Sequence, residues 1–144
     1  MQIYCDGSAH ERRGLPGGWA YAVVQGGQLL FSDSGAVRAT TNNEVELCAA
    51  IAGVRAVATR GLHLGRCEVE LISDSRITLE CAQGVDPAAA HSALGAELRA
   101  LAIETNLKTT WVRGHSGNRW NEHVDRLAHQ AKLTLVPLRK QSRR

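Results

Sequence analysis

Apolar and polar positions along the 144-residue chain change period part-way through. Near the start they alternate in short runs; after Thr41 they recur mostly at helical spacing, broken by two more short runs. Met1–Asp6 alternates and meets Gly7, which predicts a strand. Trp19–Val24 and Gln28–Val37 flank Gly26-Gly27, a turn signal, and predict a hairpin. Thr41–Ala58 then carries Val45, Leu47, Cys48, Ala49, Ile51, Val54 and Val57 on nearly every face, the pattern of a helix covered on most sides. Thr41 with Glu44 fits a capping box, and Gly61 lies just past the far end.

Glu68–Ser73 alternates Val69 and Leu71 against Glu68 and Glu70, so it reads as a strand. Asp74–Ala82 reads as a short helix ended near Gly84, and Pro87 opens another reaching about Glu104, with Leu94, Leu98 and Leu101 in one stripe. Lys108–Arg113 is a predicted strand and Gly114–Gly117 a loop. Trp120–Leu133 is a final helix turning Val124, Leu127 and Ala131 inward. The order β-β-β-α-β-α-α-β-α implies an α/β (mixed α+β) domain, a mixed sheet with helices on its faces.

Composition narrows this to one globular domain: 44% hydrophobic and 22% charged residues exclude a disordered or collagen-like chain. No apolar run is long enough to cross a bilayer, and Met1-Gln2-Ile3 opens no secretory signal, so a cytoplasmic protein is expected. Cys5, Cys48, Cys67 and Cys81 lack metal-ligand spacing and read as reduced, mostly buried thiols. The formal charge of +3 is unevenly placed. Arg139, Lys140, Arg143 and Arg144 stand among the last six residues; without them 13 basic residues face 14 acidic ones. The body is near neutral, and the basic tail is a weak pointer to a polyanion.

Several acids sit in apolar surroundings. Asp6 ends one predicted strand and Asp74 stands at the end of another, Glu46 lies in the first turns of the covered helix, and Asp125 lies between Val124 and Leu127. Each also has an ordinary role open to it, as turn former, N-cap, dipole partner or exposed helix residue. If the two strands are parallel neighbours, their ends lie roughly 5 Å apart and the two aspartates meet at the sheet edge. Converging carboxylates repel unless cations neutralise them, and hard oxygen donors favour Mg²⁺ or Mn²⁺. His123 and His129 are six apart on one helix and point in different directions, which argues against zinc; His10, His63 and His91 read as surface histidines.

Four runs together resemble type 1 ribonuclease H. They are Tyr4-Cys5-Asp6-Gly7-Ser8, Thr40-Thr41-Asn42-Asn43-Glu44-Val45-Glu46-Leu47, Ile72-Ser73-Asp74-Ser75, and Trp111-Val112-Arg113-Gly114-His115-Ser116-Gly117 followed by Asn121-Glu122-His123-Val124-Asp125. The likeness spans about Met1 to Leu133. It implies a ribonuclease H-like fold, with a five-stranded mixed sheet of three antiparallel and then parallel strands. The expected organisation is a catalytic domain over residues 1–136 and a basic tail over 137–144.

The resemblance further implies that Asp6, Glu46, Asp74 and Asp125 bind two Mg²⁺ ions, with Mn²⁺ as a possible substitute, and that His115 assists turnover from a loop. The implied reaction cuts the RNA strand of an RNA–DNA hybrid, leaving 5′-phosphate and 3′-hydroxyl ends. Thr41, Asn42 and Asn43, then Ser8 and Arg76, are the candidate substrate contacts. The expected state is a monomer without an obligate protein partner or a membrane. A chain whose first strand starts at Met1 and which carries no polymerase is more simply a stand-alone enzyme than part of a reverse transcriptase. A hybrid-binding module without activity, or a resolvase-like nuclease, remains the alternative.

The sequence departs from the family in two places. After Ser8, where the family carries Gly-Asn-Pro, this chain reads His10-Glu11-Arg12-Arg13-Gly14, so the asparagine contact is missing and Arg12 and Arg13 become candidates for phosphate. Where many members insert a Lys- and Trp-rich protrusion, Glu80–Glu104 holds one Arg or Lys, Arg99, and no tryptophan. The chain therefore resembles the handle-less branch.

Overall fold

The computed structural model describes residues 1–85 and 92–135. Gly26 and Gly27 both take positive φ (59° and 75°), as a two-residue hairpin turn requires. They join β2 (Leu15–Gln25) to β3 (Gln28–Thr40). β1 (Gln2–Ala9) pairs antiparallel with β2, with Asp6 opposite Ala20. On its other side β1 runs parallel to β4 (Glu70–Ser73), Tyr4 opposite Ile72, and β4 runs parallel to β5 (Lys108–Trp111). The sheet order is β3-β2-β1-β4-β5, so the expected mixed sheet forms with β1 at its centre.

Four α-helices complete the described residues: α1 (Asn42–Thr59), α2 (Arg76–Gln83), α3 (Ala93–Thr105) and α4 (Arg119–Lys132). Thr41 caps α1 by accepting from Glu44 N, while its hydroxyl donates to Glu44 Oε1 at 2.9 Å. Strand alternation sends Ile3, Cys5, Tyr21, Val23 and Leu71 to one face, under α1, α2 and α3. Tyr4, Ala20, Ala22, Val24 and Ile72 go to the other, where Val124 and Ala128 of α4 cover them.

The boundaries differ from the pattern where backbone pairing outlasts side-chain alternation. β1 continues past Asp6 to Ala9 because β2 keeps pairing through Gly17 and Gly18. For the same reason β2 starts at Leu15 and β3 reaches Thr40. β5 stops at Trp111 because its partner β4 ends at Ser73. Asp74 lies outside α2, whose cap is Ser75. The described part of α3 begins after Ser92; the expected start at Pro87 lies outside the described residues, as does the basic tail. Cys5 and Cys81 are buried and Cys48 is half-buried, but Cys67 is exposed, since it precedes β4 rather than lying within it. Among the described residues no helix is long and apolar enough to cross a membrane.

Candidate active site

β1 and β4 end side by side because they are adjacent and parallel. The alternation that buries Tyr4 toward α4 sends Asp6 to the same face. Glu46 arrives from the first turns of α1, over the top of β1. Gly7 makes that possible: a Cβ there would sit 2.7 Å from Glu46 N, closer than real carbon atoms approach. Asp74 leaves β4 before Ser75 caps α2. As a result Asp6, Glu46 and Asp74 each bring a carboxylate oxygen within 4.8 Å of the others. Asp6 and Glu46 are buried and Asp74 is half-buried.

Asp125 joins from α4. It stands outside that closest set, yet it hydrogen-bonds with the side chain of Asp6 and its charge acts on Asp74. His115 is exposed on the loop between β5 and α4, near enough for its charge to favour ionised Asp74. Its φ of 55° lies in the left-handed region, which is uncommon for a residue with a side chain. Gly114 lets this loop press against the site, since a Cβ there would lie 2.9 Å from Asp74 Oδ2.

Charge crowding is the governing property of the site. Burial, then the charges of Glu46 and Asp74, push the Asp6 carboxyl up to about 10. Burial raises Glu46 to about 7 despite the hydrogen bond from Asp6. Asp74 is raised by burial and by Asp125, and is partly relieved by His115 and Asn121. Glu46 Oε2 is buried with no hydrogen-bond partner among the described residues. A proton shared between Asp6 and Glu46 answers this only in part. Hard oxygen donors around a crowded negative cavity fit a divalent cation of the Mg²⁺ or Mn²⁺ type.

The supporting residues were not legible as such. Asn121 is 2% exposed and hydrogen-bonds with Asp74. Trp111 donates its indole N–H to the Asp74 carbonyl at 3.1 Å, and the Arg76 guanidinium lies 4.1 Å from the centre of that ring. Asn121 and Trp111 stand inside the motif runs, but only the packing assigns them to Asp74. Asn42 and Asn43 are exposed at the start of α1. Thr41 and Asn42 share a cavity of about 240 Å³ with His10, Glu11 and Arg13, whereas Arg12 does not line it. Ser8 is half-buried on β1. Arg99, the one Arg or Lys of Glu80–Glu104, donates to the Ala82 carbonyl at 2.8 Å and so ties α3 to α2.

Residues 1–132 match the family model for RNase H. A ribonuclease H of Acidiphilium cryptum is 36% identical over 151 aligned positions, covering 94% of this chain and 88% of that one. A ribonuclease H of Chromohalobacter salexigens is 37% identical, covering 91% and 83%. Among solved structures, LC11-RNase H1 in complex with an RNA/DNA hybrid superposes with a TM-score of 0.76 at 25% identity, over 92% of this chain and 96% of that one. The N-terminal RNase H domain of a Mycobacterium tuberculosis protein superposes at 0.74 with 24% identity, covering 92% and 94%, which is a likeness of fold.

Proposed function

The chain belongs to the ribonuclease H family, and from that premise we infer that it is an endoribonuclease cutting the RNA strand of RNA–DNA hybrids. The observation that carries the assignment to this site is the meeting of Asp6, Glu46 and Asp74 within 4.8 Å. These three and Asp125 would hold two divalent ions, Mg²⁺ or Mn²⁺. When bound, such ions lower the pKa of an attacking water and stabilise charge on a leaving oxygen. Cleavage leaves 5′-phosphate and 3′-hydroxyl ends.

The chain's own residues orient and exclude. Asp6 faces Glu46, Asp74 and Asp125 at once, and would hold the metal together with them. Glu46, reaching in from α1, would face the RNA 2′-hydroxyl. His115, exposed on its loop, carries a proton at the leaving 3′-oxygen or eases product release. Thr41, Asn42 and Arg13 line one cavity together with Glu11, and are the candidates to hold a backbone phosphate, with Asn43 and Ser8 as further contacts. Arg76, held over Trp111, meets the strand on the other side of the carboxylates. The chain acts as a 15.5 kDa monomer in the cytoplasm; its four free cysteines suit a reducing compartment.

The test is a labelled hybrid with Mg²⁺, Mn²⁺ or EDTA, beside single-stranded RNA, duplex RNA and duplex DNA. Cutting of the hybrid's RNA strand alone, lost in EDTA, is the expected result. A hybrid shifted on a gel but never cut would instead mean a binding module.

A further inference from the structure

The flank of α4 turned away from Asp125 carries a second charged cleft. Asp125 and Arg126 leave the helix about 100° apart, and Arg119, His123 and Arg126 follow the spacing that puts them together on one side. With Trp120 they close on the hairpin tip at Gly27–Leu29 around a cavity of about 570 Å³. The Arg119 guanidinium lies 4.5 Å from the centre of the Trp120 ring, and His123 meets that ring edge-on at 5.6 Å. Both arginines act electrostatically on His123.

Among the described residues no carboxylate lines this cavity. Neither arginine makes an ion pair among the described residues, and Glu122, exposed on the outer side of the helix between them, makes none either. His123 Nε2 is buried with no hydrogen-bond partner there. Two guanidiniums without an ion pair among the described residues, beside a buried ring nitrogen without a partner, call for an anion.

We infer that this cleft is a second nucleic-acid contact, taking a backbone phosphate of the strand that runs on beyond the cleaved segment. Two guanidiniums and a ring nitrogen match phosphate oxygens, and the Trp120 ring offers a wall for the attached sugar or base. Arg119 lies six residues before Asp125, about 9 Å along the axis, or roughly three base-pair steps. A nucleic-acid strand seated at the carboxylates would meet the cleft by running on over α4. The choice of nucleic acid over an acidic peptide rests on the hybrid-cleaving function.

The experiment replaces Arg119→Gln together with Arg126→Gln in the full chain and measures hybrid affinity against salt in EDTA. A long hybrid is compared with one just covering the carboxylate site. On the long hybrid the slope of log K against log salt should fall by about 0.9 for each phosphate no longer neutralised. On the short one affinity, and kcat measured separately with Mg²⁺, should stay unchanged, and Arg126→Lys should restore part of the slope on the long one. An unchanged slope on the long hybrid, or equal losses on both, overturns the inference. Displacement of an oligoglutamate peptide from the wild type but not the variant, with the slope unchanged, would assign the cleft to an acidic protein instead. If wild-type protein cut no hybrid, the hybrid-cleaving assignment would fail separately, and the slope comparison would still decide whether the cleft binds a strand.

Discussion

At the scale of single residues, the site is an arrangement in which ionisation opposes folding. The folded Asp6 and Glu46 carboxyls titrate above the ordinary carboxylate range of about 4, so the folded state keeps protons that the unfolded chain has lost. Metal-free stability should therefore fall as pH rises from about 4 through about 7 and beyond, and a divalent cation should restore it. Asp6→Asn should flatten that fall, raise the melting temperature in EDTA at neutral pH, and cut hybrid cleavage by roughly 10²–10³-fold or more. Thermal melts across pH in EDTA, beside single-turnover cleavage, check both halves. A steeper pH dependence in Asp6→Asn would contradict the sign.

His115 is argued to move protons rather than hold metal, so His115→Ala should cost about 10²-fold at most, less than Asp6→Asn, with metal-induced stabilisation unchanged. Equal losses in the two variants would remove the distinction. Asn121 acts through Asp74 as a positioning residue. Asn121→Ala should cost about 1–3 kcal/mol in stability and raise the metal concentration for half-maximal activity, more than it lowers activity at saturating metal.

At the scale of elements, catalysis depends on how closely α1 approaches β1. Gly7→Ala would place a methyl against Glu46 N and the backbone of Val45, and only a shift of α1 relieves it. The expected result is a loss of about 1–3 kcal/mol in stability and weaker metal stabilisation, read by calorimetry with and without Mg²⁺. Trp111 is the second support of the site, since one ring anchors the Asp74 backbone and carries Arg76. The four motif runs made the acids legible as candidates. They did not show that β1 would extend beyond Asp6, which depends on pairing with β2 rather than on periodicity.

At the scale of the whole molecule, the charge is divided between a near-neutral body and a basic end. Residues 139–144 contribute four basic groups and no acid. Arg99, the one Arg or Lys of Glu80–Glu104, is turned inward to α2. Removing residues 137–144 should lower hybrid affinity and its salt slope, by about 0.9 for each phosphate the tail had neutralised, with kcat at saturating substrate unaltered. An identical slope would show that the tail touches no phosphate.

The order of residues was enough to establish the alternation that makes β1 and its hairpin, the cap at Thr41, and four acids in suspicious places, because period, turn chemistry and residue type are local properties. It took the folded packing to establish that those acids share one cavity, that Asn121 and Trp111 serve Asp74, and that arginines on the far flank of α4 converge without a counter-charge. Each of these is a distance between elements far apart in the chain, set by strand register and by how closely helices seat on the sheet, and such distances leave no mark in local periodicity.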